Sequence, residues 1–118
     1  MVVALGVAIV PTARAEPPAA VRQEIAYLLR HVAESGCEFK RNGTWSDAKA
    51  AEAHVRLKYD YLLRWSRIDT TQDFIDKAAT GSSLSGQPYL VKCADNLTLA
   101  SSVWLRKALG RYRAGRKE

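Results

Sequence analysis

Cys37 and Cys93 are the only thiols in this chain of 118 residues, and whether they join decides how large a core the rest must supply. The compartment settles that question, and the amino end speaks to it. Met1 to Val10 carries no charge and is followed by Pro11 and then Ala13-Arg14-Ala15, an apolar run, a helix breaker and an A-x-A site in the order of a secretory leader. Cleavage after Ala15 leaves residues 16–118 as a single small domain. Because the run lacks the basic residues with which such leaders begin, a start upstream of Met1 is expected; a buried amino-terminal strand is the competing reading. At about half of the ~20 apolar residues a spanning helix needs, the run does not encode a membrane span.

Export brings the chain into an oxidising compartment, where an even cysteine count predicts one disulfide, Cys37 to Cys93, with a free or metal-binding pair as the alternative. Closing a loop of roughly 57 residues stabilises a fold by about 4 kcal/mol in the chain-entropy description. A redox role would need a closely spaced C-x-x-C, which is absent.

Periodicity sets the remaining elements. Val21, Ile25, Leu28, Leu29 and Val32 form one helical stripe that opens after Pro18 and stops at Gly36. Cys37 to Lys40 alternates, and Asn42-Gly43 supplies the two positive-φ residues of a tight hairpin returning through Thr44 and Trp45. Ser46 is the expected N-cap of a long helix from Asp47 to about Ser66. Thr70-Thr-Gln-Asp73 has capping-box spacing and opens a short helix ending at Gly81; Tyr89 to Cys93 reads as a strand, and Ser101 to Tyr112 as a last helix before a basic tail. The expected fold is α+β, with about four helices packed on a two- to three-stranded antiparallel sheet and one disulfide.

Glu24 to Leu29, Cys37-Glu-Phe-Lys-Arg-Asn-Gly43, Ala51 to Lys58, Asp73-Phe-Ile75, Gly81 to Tyr89, Trp104-Leu105 and Arg111-Tyr-Arg113, in this order and spacing, resemble the YfeK-like family of small exported bacterial proteins of unknown function. The resemblance covers nearly all of residues 16–118. It implies a periplasmic or secreted α+β protein and supplies no catalytic or binding residues.

Site residues must therefore come from the chain itself. On the long helix, His54, Lys58, Tyr61 and Trp65 are spaced by four, three and four, a polar stripe beside the apolar arc of Ala48, Ala51, Val55, Tyr59 and Leu62. Such a margin also arises when a lysine merely snorkels and aromatics pack. The loop Ser82-Ser-Leu-Ser-Gly-Gln-Pro88 is its natural partner, so the candidate binding residues are His54, Lys58, Tyr61, Ser82, Ser83, Ser85 and Tyr89. A loop serine reaching His54 would make a Ser/His hydrolase conceivable; with no G-x-S-x-G elbow and no orienting carboxylate, no catalytic residue is assigned and binding is favoured over turnover.

His31 and His54 lie on separate helices without H-x-x-x-H spacing, so neither a metal nor a cofactor is expected, and His31 reads as solvated. Net charge is +6. Arg106, Lys107, Arg111, Arg113, Arg116 and Lys117, with Lys49, Arg56, Arg64 and Arg67 on the long helix, suggest a basic surface. For an exported chain this excludes nucleic acid as the natural partner and suggests an anionic cell-envelope component or another periplasmic protein, including the alternative of an electrostatic adaptor for envelope polymers or lipids. Asn96-Leu-Thr98 matches a glycosylation acceptor, which carries no weight in a bacterial host.

Overall fold

The protein is described here from a computed structural model that covers residues 16–116 and Gly6. Apart from Gly6, the expected leader lies outside the described residues, as do Lys117 and Glu118. The elements run α1 (Ala19–Glu34), β1 (Glu38–Arg41), β2 (Thr44–Ser46), α2 (Ala48–Trp65), α3 (Thr71–Ala78), β3 (Leu90–Lys92), β4 (Thr98–Ala100) and α4 (Ser101–Gly115). All strand pairings are antiparallel, in the order β2-β1-β3-β4. Four helices on one sheet is the expected α+β class, with one strand more than the two or three foreseen.

Local rules account for most boundaries. Gly36 leaves α1 with φ +68°, and the hairpin turns through Asn42 at φ 50° and Gly43 at φ 81°, both signs being those a type I′ turn demands. At α3 the capping box is complete: the Thr70 hydroxyl accepts from the Asp73 N–H, and the Asp73 carboxylate accepts from the Thr70 N–H. The cap of α2 differs from expectation. Ser46 stays in β2 opposite Phe39, so the helix starts one residue later and the Asp47 carboxylate accepts the Ala50 N–H at 2.8 Å.

Pairing of Glu38 with Lys92 sets Cys37 opposite Cys93 at the end of the β1–β3 ladder, and the two are joined in a disulfide. The same pleat sends Phe39 and Val91 into the core against Ile25, Leu28, Phe74, Ile75 and Leu105. On the opposite face Trp45 lies between the ammonium groups of Lys40 and Lys92, 5.8 and 4.6 Å from its ring centre.

Two features depart from the reading of the basic tail and of His31. The last helix continues past Tyr112 to Gly115, because Arg113 and Arg116 fold back onto Glu24 of α1. Glu24 is buried, takes two bonds from Arg113 at 2.7 and 3.0 Å and one from Arg116 at 2.9 Å, and also accepts the Thr71 hydroxyl of α3. These donors, Arg113 first, hold its carboxyl at about 2, outweighing the burial that acts the other way. His31 is half-buried rather than solvated. It stacks between Tyr27 and Trp104 at 5.8 and 4.5 Å, its Nε2 is buried without a hydrogen-bond partner, and burial followed by the charge of Arg111 pushes its pKa below 6.5.

Candidate functional site

The helical spacing of His54 and Lys58 turns both toward the segment that links α3 to β3, and that segment is closed on itself. The Ser82 N–H donates to the Gln87 carbonyl, the Gly86 N–H to the Ser82 carbonyl, and the Tyr89 N–H to the Thr80 carbonyl, all at 2.9 Å. Gly81 is needed for this closure, since a Cβ there would sit 2.9 Å from the Gln87 carbonyl oxygen. The loop therefore delivers Tyr89 to the flank of α2 as the chain enters β3.

Tyr89 is 6% exposed and its phenol joins the two helical side chains. Its oxygen lies 3.2 Å from Lys58 Nζ and 3.2 Å from His54 Nε2, while Lys58 Nζ also donates to the Gly81 carbonyl at 2.7 Å. An ammonium can only donate, so the phenol oxygen accepts from Lys58, while its contact with His54 Nε2 runs in the direction set by the imidazole tautomer. Burial, then the charges of Arg41 and Lys58, push the His54 pKa below 6.5, which favours the neutral ring. Two of the three ammonium protons of Lys58 are engaged by the Gly81 carbonyl and the Tyr89 oxygen, which leaves one uncommitted.

Around this trio lies a cleft of about 300 Å³. Six of the seven candidate residues line it: His54, Lys58, Tyr61, Ser82, Ser83 and Tyr89. Tyr61 stands at the rim, 61% exposed. Ser85 is elsewhere, its hydroxyl donating to Asn42 Oδ1. Trp65, farther along α2, is 68% exposed and does not line the cleft. The residues that helical periodicity missed are Arg41, Asn42, Leu57 and Leu84. The first two come from the hairpin, and strand alternation carries the clue: Arg41 is two residues beyond Phe39 and so shares its face. None of the lining side chains is a carboxylate, and among the described residues Arg41 has neither an ion pair nor a side-chain hydrogen bond.

His54, Tyr89 and Arg41 also line a second hollow, of about 90 Å³, whose walls include Val32, Phe39, Val55 and Leu105. The phenol–imidazole contact thus stands between a cationic cleft and an apolar recess.

The loop serines have other duties. Ser82 Oγ accepts the N–H groups of Leu84 and Ser85 at 3.1 and 3.3 Å, a local turn bond, and among the described residues no hydrogen bond joins a loop serine to His54. Much of the expected basic surface is neutralised within the fold. Arg56 pairs with Glu52, Arg67 with Asp69, Arg106 with Asp76, and Arg113 and Arg116 with Glu24. Among the described residues no helix is long and apolar enough to cross a membrane, and no three His, Cys, Asp or Glu side chains are grouped to hold a metal ion.

A family of unknown function, DUF5329, matches residues 19–113. The chain is also similar to the uncharacterized protein YfeK of Salmonella typhimurium, 46% identical over 51 residues, 43% of this chain and 41% of that relative. The match thus spans about two-fifths of the relative's length. No solved structure matches this chain.

Proposed function

Since the chain belongs to the DUF5329 family, for which no function is established, we propose from its own residues that it is an exported binding or accessory module of the cell envelope, taking an anionic ligand in the His54–Tyr89 cleft. The observation that carries this reading is the meeting of two cations, Arg41 and Lys58, in one cleft without a carboxylate. Arg22, Arg56, Arg67, Arg106, Arg113 and Arg116 meet carboxylates, and what separates Arg41 from Arg30, Arg64 and Arg111, which among the described residues are unpaired as well, is that it shares with the third proton of Lys58 a cleft that no carboxylate lines. Charge-assisted hydrogen bonds to an anion would satisfy both, and the guanidinium fork suits a carboxylate or phosphate. Binding is preferred to hydrolysis because His54 spends its Nε2 on Tyr89 and Ser82 spends its oxygen on its own turn. The disulfide and the leader-like amino end support a site of action outside the cytoplasm.

The test is a titration of the isotope-labelled, disulfide-bonded protein with inorganic phosphate at low ionic strength, followed by amide chemical shifts. Perturbations should centre on Arg41, His54, Lys58, Ser82 and Ser83, and Lys58→Ala and His54→Ala should each weaken the response at least tenfold. Shifts scattered over the surface, or binding unchanged in both variants, would overturn the site. For the export part of the proposal, mass spectrometry of the native protein should find the chain beginning after Ala15; an intact Met1 would contradict it.

A further inference from the structure

From the two adjoining hollows we infer that the ligand is a single-chain anionic amphiphile, its head on Arg41 and Lys58 and its apolar chain running past Tyr89 into the recess. This rests on the anion reading above and adds the second half of the molecule. Arg41, His54 and Tyr89 line both hollows, so the two adjoin at these residues, and an elongated ligand would reach from one to the other beside the His54–Tyr89 contact. The recess offers a chain what the cleft offers a charge: Val32, Phe39, Val55 and Leu105 form its apolar walls, and no carboxylate lines either hollow.

The outer rim supports the same chemistry. Leu57 and Leu84 border the cleft while 69% and 95% exposed, beside Tyr61. Apolar side chains grouped at the mouth of a cationic cleft expose surface that a ligand with its own apolar length would cover. An inorganic anion would use neither the rim nor the recess. A sugar would need an array of hydrogen-bonding groups, and the recess supplies mainly hydrocarbon walls.

The experiment is a calorimetric titration of the native, disulfide-bonded protein with straight-chain alkanoates from acetate to octanoate, kept below their micellar concentrations. A parallel series of alkyl phosphates distinguishes a free carboxylate from a phosphate head. Affinity should rise about fourfold per added methylene and then level off once the recess is full. The headgroup with the tighter series identifies the source of the anion. Ala51→Phe, which narrows the recess, should abolish the gain per methylene; if that variant does not fold, Ala50→Phe at the exposed end of the recess makes the same measurement. Affinity that stays flat from acetate to octanoate while inorganic phosphate still binds would overturn the amphiphile and leave the anion site standing. No binding by either series or by phosphate would overturn both. A slope that survives narrowing of the recess would also overturn the placement of the chain.

Discussion

Glu24→Gln should cost this protein a large part of its stability, and the cost should depend on pH. The wild-type carboxylate is 4% exposed and receives Arg113, Arg116 and the Thr71 hydroxyl, so one side chain ties α1 to α3 and α4. A carboxyl held at about 2 rather than 4.5 corresponds to roughly 3 kcal/mol at neutral pH. The Arg113 and Arg116 side chains are 50% and 42% exposed, and screening of those half-solvated cations reduces the figure to about 2 kcal/mol. The sign follows from the lowered pKa. The stabilisation is complete above the ordinary carboxyl value of 4.5 and drains away as pH falls toward about 2. Urea denaturation of both proteins at pH 7 and pH 3 measures it directly. The expected difference is about 2 kcal/mol at pH 7, falling to less than half of that at pH 3. A difference below about 0.5 kcal/mol at pH 7, or one that does not shrink with acid, would refute the reasoning.

Replacing both cysteines, Cys37→Ala with Cys93→Ala, should lower stability by about 4 kcal/mol in urea denaturation, since the bond closes a long loop; a loss under about 1 kcal/mol would show that the reduced chain keeps its ends together. His31→Phe should remove part of the protein's acid sensitivity. His31 is held neutral with a pKa below 6.5, so the folded state binds fewer protons and wild-type stability is lost as pH falls through 6.5. Urea midpoints measured from pH 7 to pH 5 should therefore fall less in the variant than in the wild type, and parallel curves would contradict the assignment.

What the sequence disclosed about the fold followed from how local each cause is. The stripe of α1, the Asn42-Gly43 turn and the Thr70–Asp73 capping box are set by residues within four positions of one another, and each stands where periodicity put it. The missed strand, β4, is three residues long and exists because Leu90, Val91 and Lys92 offer it a paired edge. Its own residues, Thr98-Leu-Ala100, carry too short a pattern to announce a strand. His31 eluded the reading for a similar reason, since its environment is supplied by Trp104 from α4, 73 positions away in the chain.

The site divides along the same line. Helical spacing puts His54 and Lys58 on one face, but the group that makes them a unit is Tyr89, brought in by closure of the serine loop and by the register of β3. That phenol spans sequence separations of 35 and 31 residues and so ties the entry to β3 onto α2. For the anion proposed above, preorganisation of this kind would lower the ordering cost of binding, because the ammonium is already held by the Gly81 carbonyl and the Tyr89 oxygen. The loop serines, the residues whose chemistry attracts notice first, serve that closure with backbone and hydroxyl alike, Ser82 through its own turn and Ser85 through Asn42. Ser82 closes the turn that positions Gly81 and Tyr89, and through them Lys58; the loop composition therefore reads as scaffolding for a cation, where sequence alone left it open as a nucleophile.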